Sequence, residues 1–228
     1  MAQEVSGEMV TFPNDTTNVT GYLAQPKAPG RYPGVIVIQE WWGLVPHIKN
    51  VAERIAAEGY IAIAPDLYHG QLAEEPDGAM QLARSLAWES ALHDLKGTAK
   101  HLKNLPNSTG KLGSIGFCMG GGLSYRLNAH TNDLDASVVF YGMSPNQLEE
   151  AATVKAPIQG HYGETDERIT GAMPELVEAL KKNGKPVETF VYPGAPHAFF
   201  NDESQAYRPD AAKQAWDRTL AFFKQHLV

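Results

Sequence analysis

One cysteine, Cys118, stands in a chain of 228 residues, so no disulfide can form within it and a reducing, cytoplasmic setting is expected. No apolar run approaches the roughly 20 residues that a membrane-spanning helix needs. The opening MAQEVSGEMV lacks the basic and then apolar regions of a secretory signal. Positive charge is scarce too: the formal net charge is −7 at pH 7, which argues against nucleic acid or an anionic membrane as partner. The sequence shows no internal repeat, low-complexity tract or linker-like shift in composition, and no metal-ligand spacing. What remains is ordinary globular material, 43% hydrophobic and 20% charged. It is enough for one α/β domain over residues 1–228 without metal or cofactor, as a monomer or small homo-oligomer.

The organisation is a recurrence of short apolar runs and helical patterns. Strand candidates are residues 34–39, 60–64, 112–117, 136–141, 157–162 and 187–192, apolar enough to be covered on both faces. Between the first two, Ile48, Val51, Ala52, Ile55 and Ala56 form one helical stripe, and Gly59 sits where a C-terminal cap belongs. Residues 174–183 predict a second helix opened by Pro174 and closed by Gly184. From Pro209 onward, Ala212, Trp216, Leu220, Phe223 and Leu227 share a third stripe. Such alternation implies a mostly parallel central sheet flanked by helices, with segments 9–12 and 20–24 as an antiparallel edge pair. Ligands in such sheets sit beyond the carboxyl ends of the strands.

Chemistry is concentrated at three of those ends. GFCMGG, residues 116–121, has the G-x-S-x-G spacing of a nucleophile elbow with Cys118 at its centre. A lone cysteine is ordinarily a small buried hydrophobe, but a core cysteine has no need of Gly116 and Gly120 at two-residue spacing on either side. A thiolate at the start of the following helix also gains from the helix dipole. The acid and base that a nucleophile requires follow in the order expected of this motif. Asp166 comes in GETDERI after the strand PIQGHY, and His197 in GAPHAFF after VETFVY. Each residue alone reads equally well as a turn aspartate or a solvated loop histidine; their agreement in position favours catalysis. His161, inside a strand pattern, and His69, in a turn, read as structural. QEWWGL, residues 39–44, ends the first apolar strand and offers the Trp41 N–H as an oxyanion donor beside that of Met119. Glu40 is either a surface glutamate or a carboxylate that needs a partner.

Taken together, GVIVIQEWWG, APDLYHG, GFCMGG, GETDERI and PHAFF resemble the dienelactone hydrolase family of α/β-hydrolases over nearly the whole chain. The resemblance implies a Cys118–His197–Asp166 triad acting on a small ester or lactone through a thioester. It also implies that Glu40 interacts with the resting thiol and helps deliver the thiolate when substrate binds. Tyr141 matches a pocket-lining position. Members acting on dienelactone grip the substrate carboxylate with two arginines. Asn201 occupies one of those positions, Pro76 falls near the other, and Met80 and Ala83 replace pocket aromatics, leaving Arg84 or Arg208 as substitutes. A broad carboxylesterase or thioesterase therefore stays open beside the narrower reading. A thiol redox sensor on the same scaffold would lack a resolving cysteine.

Overall fold

The computed structural model describes residues 3–143 and 146–228. They fall into two compact units, Met1–Ser114 and Ile115–Val228. The first contains β1 (Val5–Asn14), β2 (Thr17–Pro26), β3 (Tyr32–Ile38), α1 (Pro46–Ala57), β4 (Ile61–Pro65), α2 (Pro76–Ser85) and α3 (Trp88–Asn104). β5 (Ser108–Phe117) runs through the boundary. The second continues with α4 (Met119–His130), β6 (Ala136–Phe140), α5 (Gln147–Glu150), β7 (Ile158–Gly163), α6 (Glu167–Lys182), β8 (Val187–Tyr192) and α7 (Pro209–Leu227). Strand order is β1-β2-β4-β3-β5 in the first unit and β5-β6-β7-β8 in the second. The fold is α/β, a mostly parallel sheet of eight strands flanked by helices.

In the first unit, the expected antiparallel edge pair is a long hairpin whose register puts Met9 opposite Tyr22 and Phe12 opposite Val19. β2 then runs antiparallel to β4, and β3 parallel to it. β3 is buried along Pro33–Ile38 because both faces of a parallel strand are covered. α1 follows the stripe read from the sequence, with Ile48, Val51, Ala52, Ile55 and Ala56 all fully buried. Pro46 stands in its first turn, and Gly59, at φ 94°, supplies the left-handed residue after its end. The tip of the hairpin docks on α3 through Asn14, whose amide nitrogen donates to His93 Nδ1 at 2.9 Å and to the His93 carbonyl at 3.2 Å. The same nitrogen lies 3.4 Å from Asp94 Oδ1.

In the second unit, β6–β7 and β7–β8 are parallel. The sequence expectation for residues 174–183 needs correction: Pro174 lies inside α6, which begins at Glu167. A proline inside a helix costs about 3 kcal/mol. The apolar stripe Ile169, Leu176 and Leu180, each buried, extends on both sides of it. Burying three such side chains is worth about 1.5–3 kcal/mol apiece, which outweighs the break. α5 is tied to α4 by Tyr125 Oη donating to the Gln147 carbonyl at 2.5 Å and by Arg126 and His130 meeting Glu150 at 3.1 and 2.9 Å. α7 packs its own stripe, burying Ala212, Ala215, Thr219, Phe223 and Leu227.

Candidate active site

Cys118 is the single residue between the end of β5 and the start of α4. Its backbone lies at φ 54°, ψ −117°, a region that costs a non-glycine residue about 1–3 kcal/mol and persists only where the surroundings enforce it. Here they do. The Cys118 N–H donates to the Phe140 carbonyl at 3.0 Å, and the Cys118 carbonyl accepts the N–H groups of Gly121 and Gly122 at 3.0 and 3.3 Å. The neighbouring glycines permit the crossing. A Cβ on Gly116 would fall 1.9 Å from the Gly120 oxygen, and one on Gly142 would fall 2.4 Å from the Gly121 carbonyl carbon. The side chain of Cys118 is half-buried, and Met119 provides the first N–H of α4.

The other two candidates follow β7 and β8. His197 Nδ1 lies 2.5 Å from Asp166 Oδ2, with the aspartate side chain 11% exposed and the imidazole 37%. A carboxylate accepts and does not donate, so Nδ1 carries the proton in this pair and Nε2 is the bare ring nitrogen. The loops that bring them together are stitched by backbone. The Glu164 N–H donates to the Tyr192 carbonyl at 3.1 Å, and the Thr165 N–H to the Ala195 carbonyl at 3.0 Å. Thr165 Oγ1 reaches the same carbonyl at 3.1 Å. Gly163 allows this closeness, because a Cβ there would lie 2.4 Å from the Ala195 oxygen and 2.6 Å from that of Pro196. Nothing in the sequence pattern marked Gly163 or Thr165 as supports; only the contact between the two loops does so.

Tyr141 connects the elbow to the histidine. It follows Phe140, whose carbonyl holds the Cys118 N–H, and it has φ 38°. Its buried ring lies 5.0 Å from the His197 ring at 58°. Asn201 is also buried, but its Oδ1 accepts the Glu203 N–H at 3.0 Å, as a turn-closing asparagine does. Glu40, Trp41 and Arg84 belong to the first unit. Glu40, two residues past the end of β3, is 2% exposed, which removes the surface-glutamate reading. Trp41 packs edge-on against Trp42 at 5.2 Å. The loop is braced by the Ala73 N–H on the Trp42 carbonyl at 3.0 Å and by the Leu67 N–H on Gln39 Oε1 at 3.2 Å. Arg84 is exposed in the last turn of α2. Among the described residues, no three His, Cys, Asp or Glu side chains are grouped to hold a metal ion, and no helix is long and apolar enough to cross a membrane.

A strained cysteine at a strand–helix junction, with an Asp–His pair on later loops of the same unit, can be compared with known proteins. The model of the dienelactone hydrolase family matches residues 19–227. The chain belongs to the dienelactone hydrolase family. Protein usf of Aquifex pyrophilus is 39% identical over 233 residues, covering 97% of this chain and all of that protein. A Synechocystis protein provisionally named a carboxymethylenebutenolidase is 37% identical over 246 residues, covering all of both chains. Among solved structures, one titled a dienelactone hydrolase by provisional assignment, from Klebsiella pneumoniae, superposes with a TM-score of 0.91 at 32% identity, covering 98% of this chain and all of that one. Membership in the family makes the protein a hydrolase with the α/β-hydrolase fold.

Proposed function

We propose that the protein hydrolyses small esters or lactones with Cys118 as nucleophile and passes through a thioester. The observation that carries this reading is the positive φ of Cys118 at the β5–α4 junction, held against its strain by the glycines around it. In the proposed cycle the Cys118 thiol gives its proton to His197 Nε2, the thiolate attacks the ester carbonyl and the carbonyl π electrons move onto oxygen. The Met119 N–H, at the helix N-terminus, is a donor for that oxyanion. When the carbonyl re-forms, the C–O bond breaks and the alkoxide takes a proton from His197. His197, oriented by Asp166, then removes a proton from water, hydroxide adds to the thioester, and the acid leaves with the thiolate regenerated. The role of Trp41 as second oxyanion donor rests on its place in the loop after β3, and those of Glu40 as partner of the resting thiol and of Arg84 at the substrate rest on the family resemblance. A reducing, cytoplasmic setting belongs to the proposal because it would keep the thiol reduced.

The names of the relatives favour a dienelactone substrate. Asn201 favours the second reading, a broad carboxylesterase, because it brings no charge to grip a carboxylate. Steady-state hydrolysis of p-nitrophenyl acetate and of a dienelactone, for the wild type and Cys118→Ala, tests both. Loss of turnover by about 10³-fold or more in the variant is expected. Undiminished turnover in Cys118→Ala would remove the nucleophile assignment. Comparable wild-type efficiency on the two substrates would favour the lactone, and turnover of the simple ester alone the broad esterase.

A further inference from the structure

The second unit contains a buried titratable group that the proposed cycle does not use. His161, on β7, is completely buried among aromatic rings, with Phe140 at 4.5 Å and Phe190 at 5.7 Å. Burial first, and the Arg218 charge second, push its pKa down to about 3, so the imidazole is neutral at any working pH. Both ring nitrogens are engaged. Nδ1 lies 2.8 Å from Tyr192 Oη; Nε2 lies 2.9 Å from Gln159 Oε1 and 3.2 Å from Thr219 Oγ1.

The direction of this chain follows from its far end. Gln159 Nε2 is 2.7 Å from Glu188 Oε1; the opposite amide orientation would set two acceptors against each other. Gln159 Oε1 therefore accepts, and His161 Nε2 carries the proton. His161 Nδ1 is then a bare acceptor, and the donor facing it is the Tyr192 hydroxyl. Tyr192 keeps that proton, because burial raises its pKa against the lowering pull of the Arg218 hydrogen bond and charge. Three hydrogen bonds thus run one way, from Tyr192 through His161 and Gln159 to a carboxylate, each polarising the next.

Tyr192 is the last residue of β8 and pairs with Gly163, the last of β7. Its carbonyl accepts the N–H of Glu164, on the Asp166 loop, and that of Ala195, on the His197 loop, at 3.1 and 3.2 Å. Its ring packs on Phe199 at 5.0 Å, and Phe199 meets Tyr141 edge-on at 5.5 Å. We propose that Tyr192, held in one orientation by its hydrogen bond to His161, is a positioning residue that sets the Asp166–His197 geometry from beneath both loops. The inference rests on the reading of Asp166 and His197 as orienting acid and base. It adds that their 2.5 Å approach depends on a hydroxyl that never meets substrate.

The test uses the full chain with Tyr192→Phe, His161→Asn and His161→Leu. Three measurements are made on each: kcat and KM for p-nitrophenyl acetate, the melting temperature, and the downfield proton resonance of His197 Nδ1–H. Tyr192→Phe keeps the ring and removes only Oη. Its kcat should fall by about tenfold or more with KM within about twofold, and the downfield proton should shift or broaden. His161→Asn places an amide oxygen near the former Nδ1 and should keep both readouts near wild type, whereas His161→Leu should not. A lower melting temperature in Tyr192→Phe with kcat and the resonance unchanged would reduce the network to core packing and overturn the proposal. Equal behaviour of His161→Asn and His161→Leu would do the same. Should Cys118→Ala keep its turnover, the nucleophile assignment fails by itself, and the resonance still decides the positioning claim.

Discussion

Gly163→Ala is the substitution whose outcome the geometry constrains most. The added methyl would sit 2.4 Å from the Ala195 carbonyl oxygen and 2.6 Å from that of Pro196, both backbone atoms. Non-bonded heavy atoms meet at roughly 3.5 Å, so the two loops must separate by about 1 Å. Neither can yield locally, because the Thr165 N–H and Oγ1 both hold that same Ala195 oxygen, at 3.0 and 3.1 Å. The displacement therefore passes to Asp166, three residues on, and to His197, two residues past Ala195. Added to a 2.5 Å Nδ1···Oδ2 separation, it takes that pair out of hydrogen-bonding range. A misplacement of about 1 Å costs on the order of a hundredfold in rate, and the overpacking itself about 1–3 kcal/mol of stability. The assay is kcat per folded molecule, with folding followed by near-ultraviolet circular dichroism and urea titration. Gly171→Ala is the control: it lies in α6 with nothing within 4 Å of the new methyl, and should stabilise by about 0.5–1 kcal/mol without changing kcat. Wild-type kcat in folded Gly163→Ala would refute the claim that loop spacing sets the pair.

Three other outcomes follow. His161 has a folded pKa near 3 against 6.5 in the unfolded chain, so the unfolded state takes up the proton first as pH falls. Stability is full above about pH 6.5 and declines toward pH 3 by up to about 1.4 kcal/mol per pH unit; urea melts should show His161→Asn flattening that slope, and an unaltered slope would count against it. Asp166→Asn should lower kcat by about 10³–10⁴-fold by leaving the wrong tautomer at His197, visible as loss of the downfield proton; a small decrease would mean that the pair is structural. Asn14→Ala removes the donor to His93 and Asp94 beneath the hairpin and should cost about 1–3 kcal/mol in urea melts, with kcat per folded molecule unchanged.

Much of the fold and of the candidate site is legible in the sequence because its signals are local. The α1 stripe and Gly59 announce a helix and its end, and the apolar runs that became β4 and β6 need no partner to be recognised; β8, read as covered on both faces, is partly exposed at the sheet edge. The glycine spacing around Cys118 is equally local. Gly116 faces Gly120 across one turn of backbone, so the pattern and its steric cause lie within five residues. Pro174 misleads for the complementary reason. Its local meaning is a helix start, and it is overruled by burial of Ile169, Leu176 and Leu180, the last two in a cluster with side chains from elsewhere in the unit.

The supports of the Asp–His pair could not be read in this way, since none of them is defined by its neighbours in the chain. Gly163 matters because Ala195 and Pro196 pass over it, 32 and 33 residues later, and Tyr192 matters because His161 lies 31 residues before it. Read alone, PIQGHY is an apolar strand with one histidine in it. In the folded unit that histidine is a neutral acceptor of fixed tautomer, because Gln159 and Glu188 leave it no other choice. The residues that perform chemistry must be of particular types at exposed turns, and type and turn are both visible in sequence. Those that set their spacing need only the right shape and one hydrogen bond across the sheet, and that requirement is met by pairing register rather than by motif.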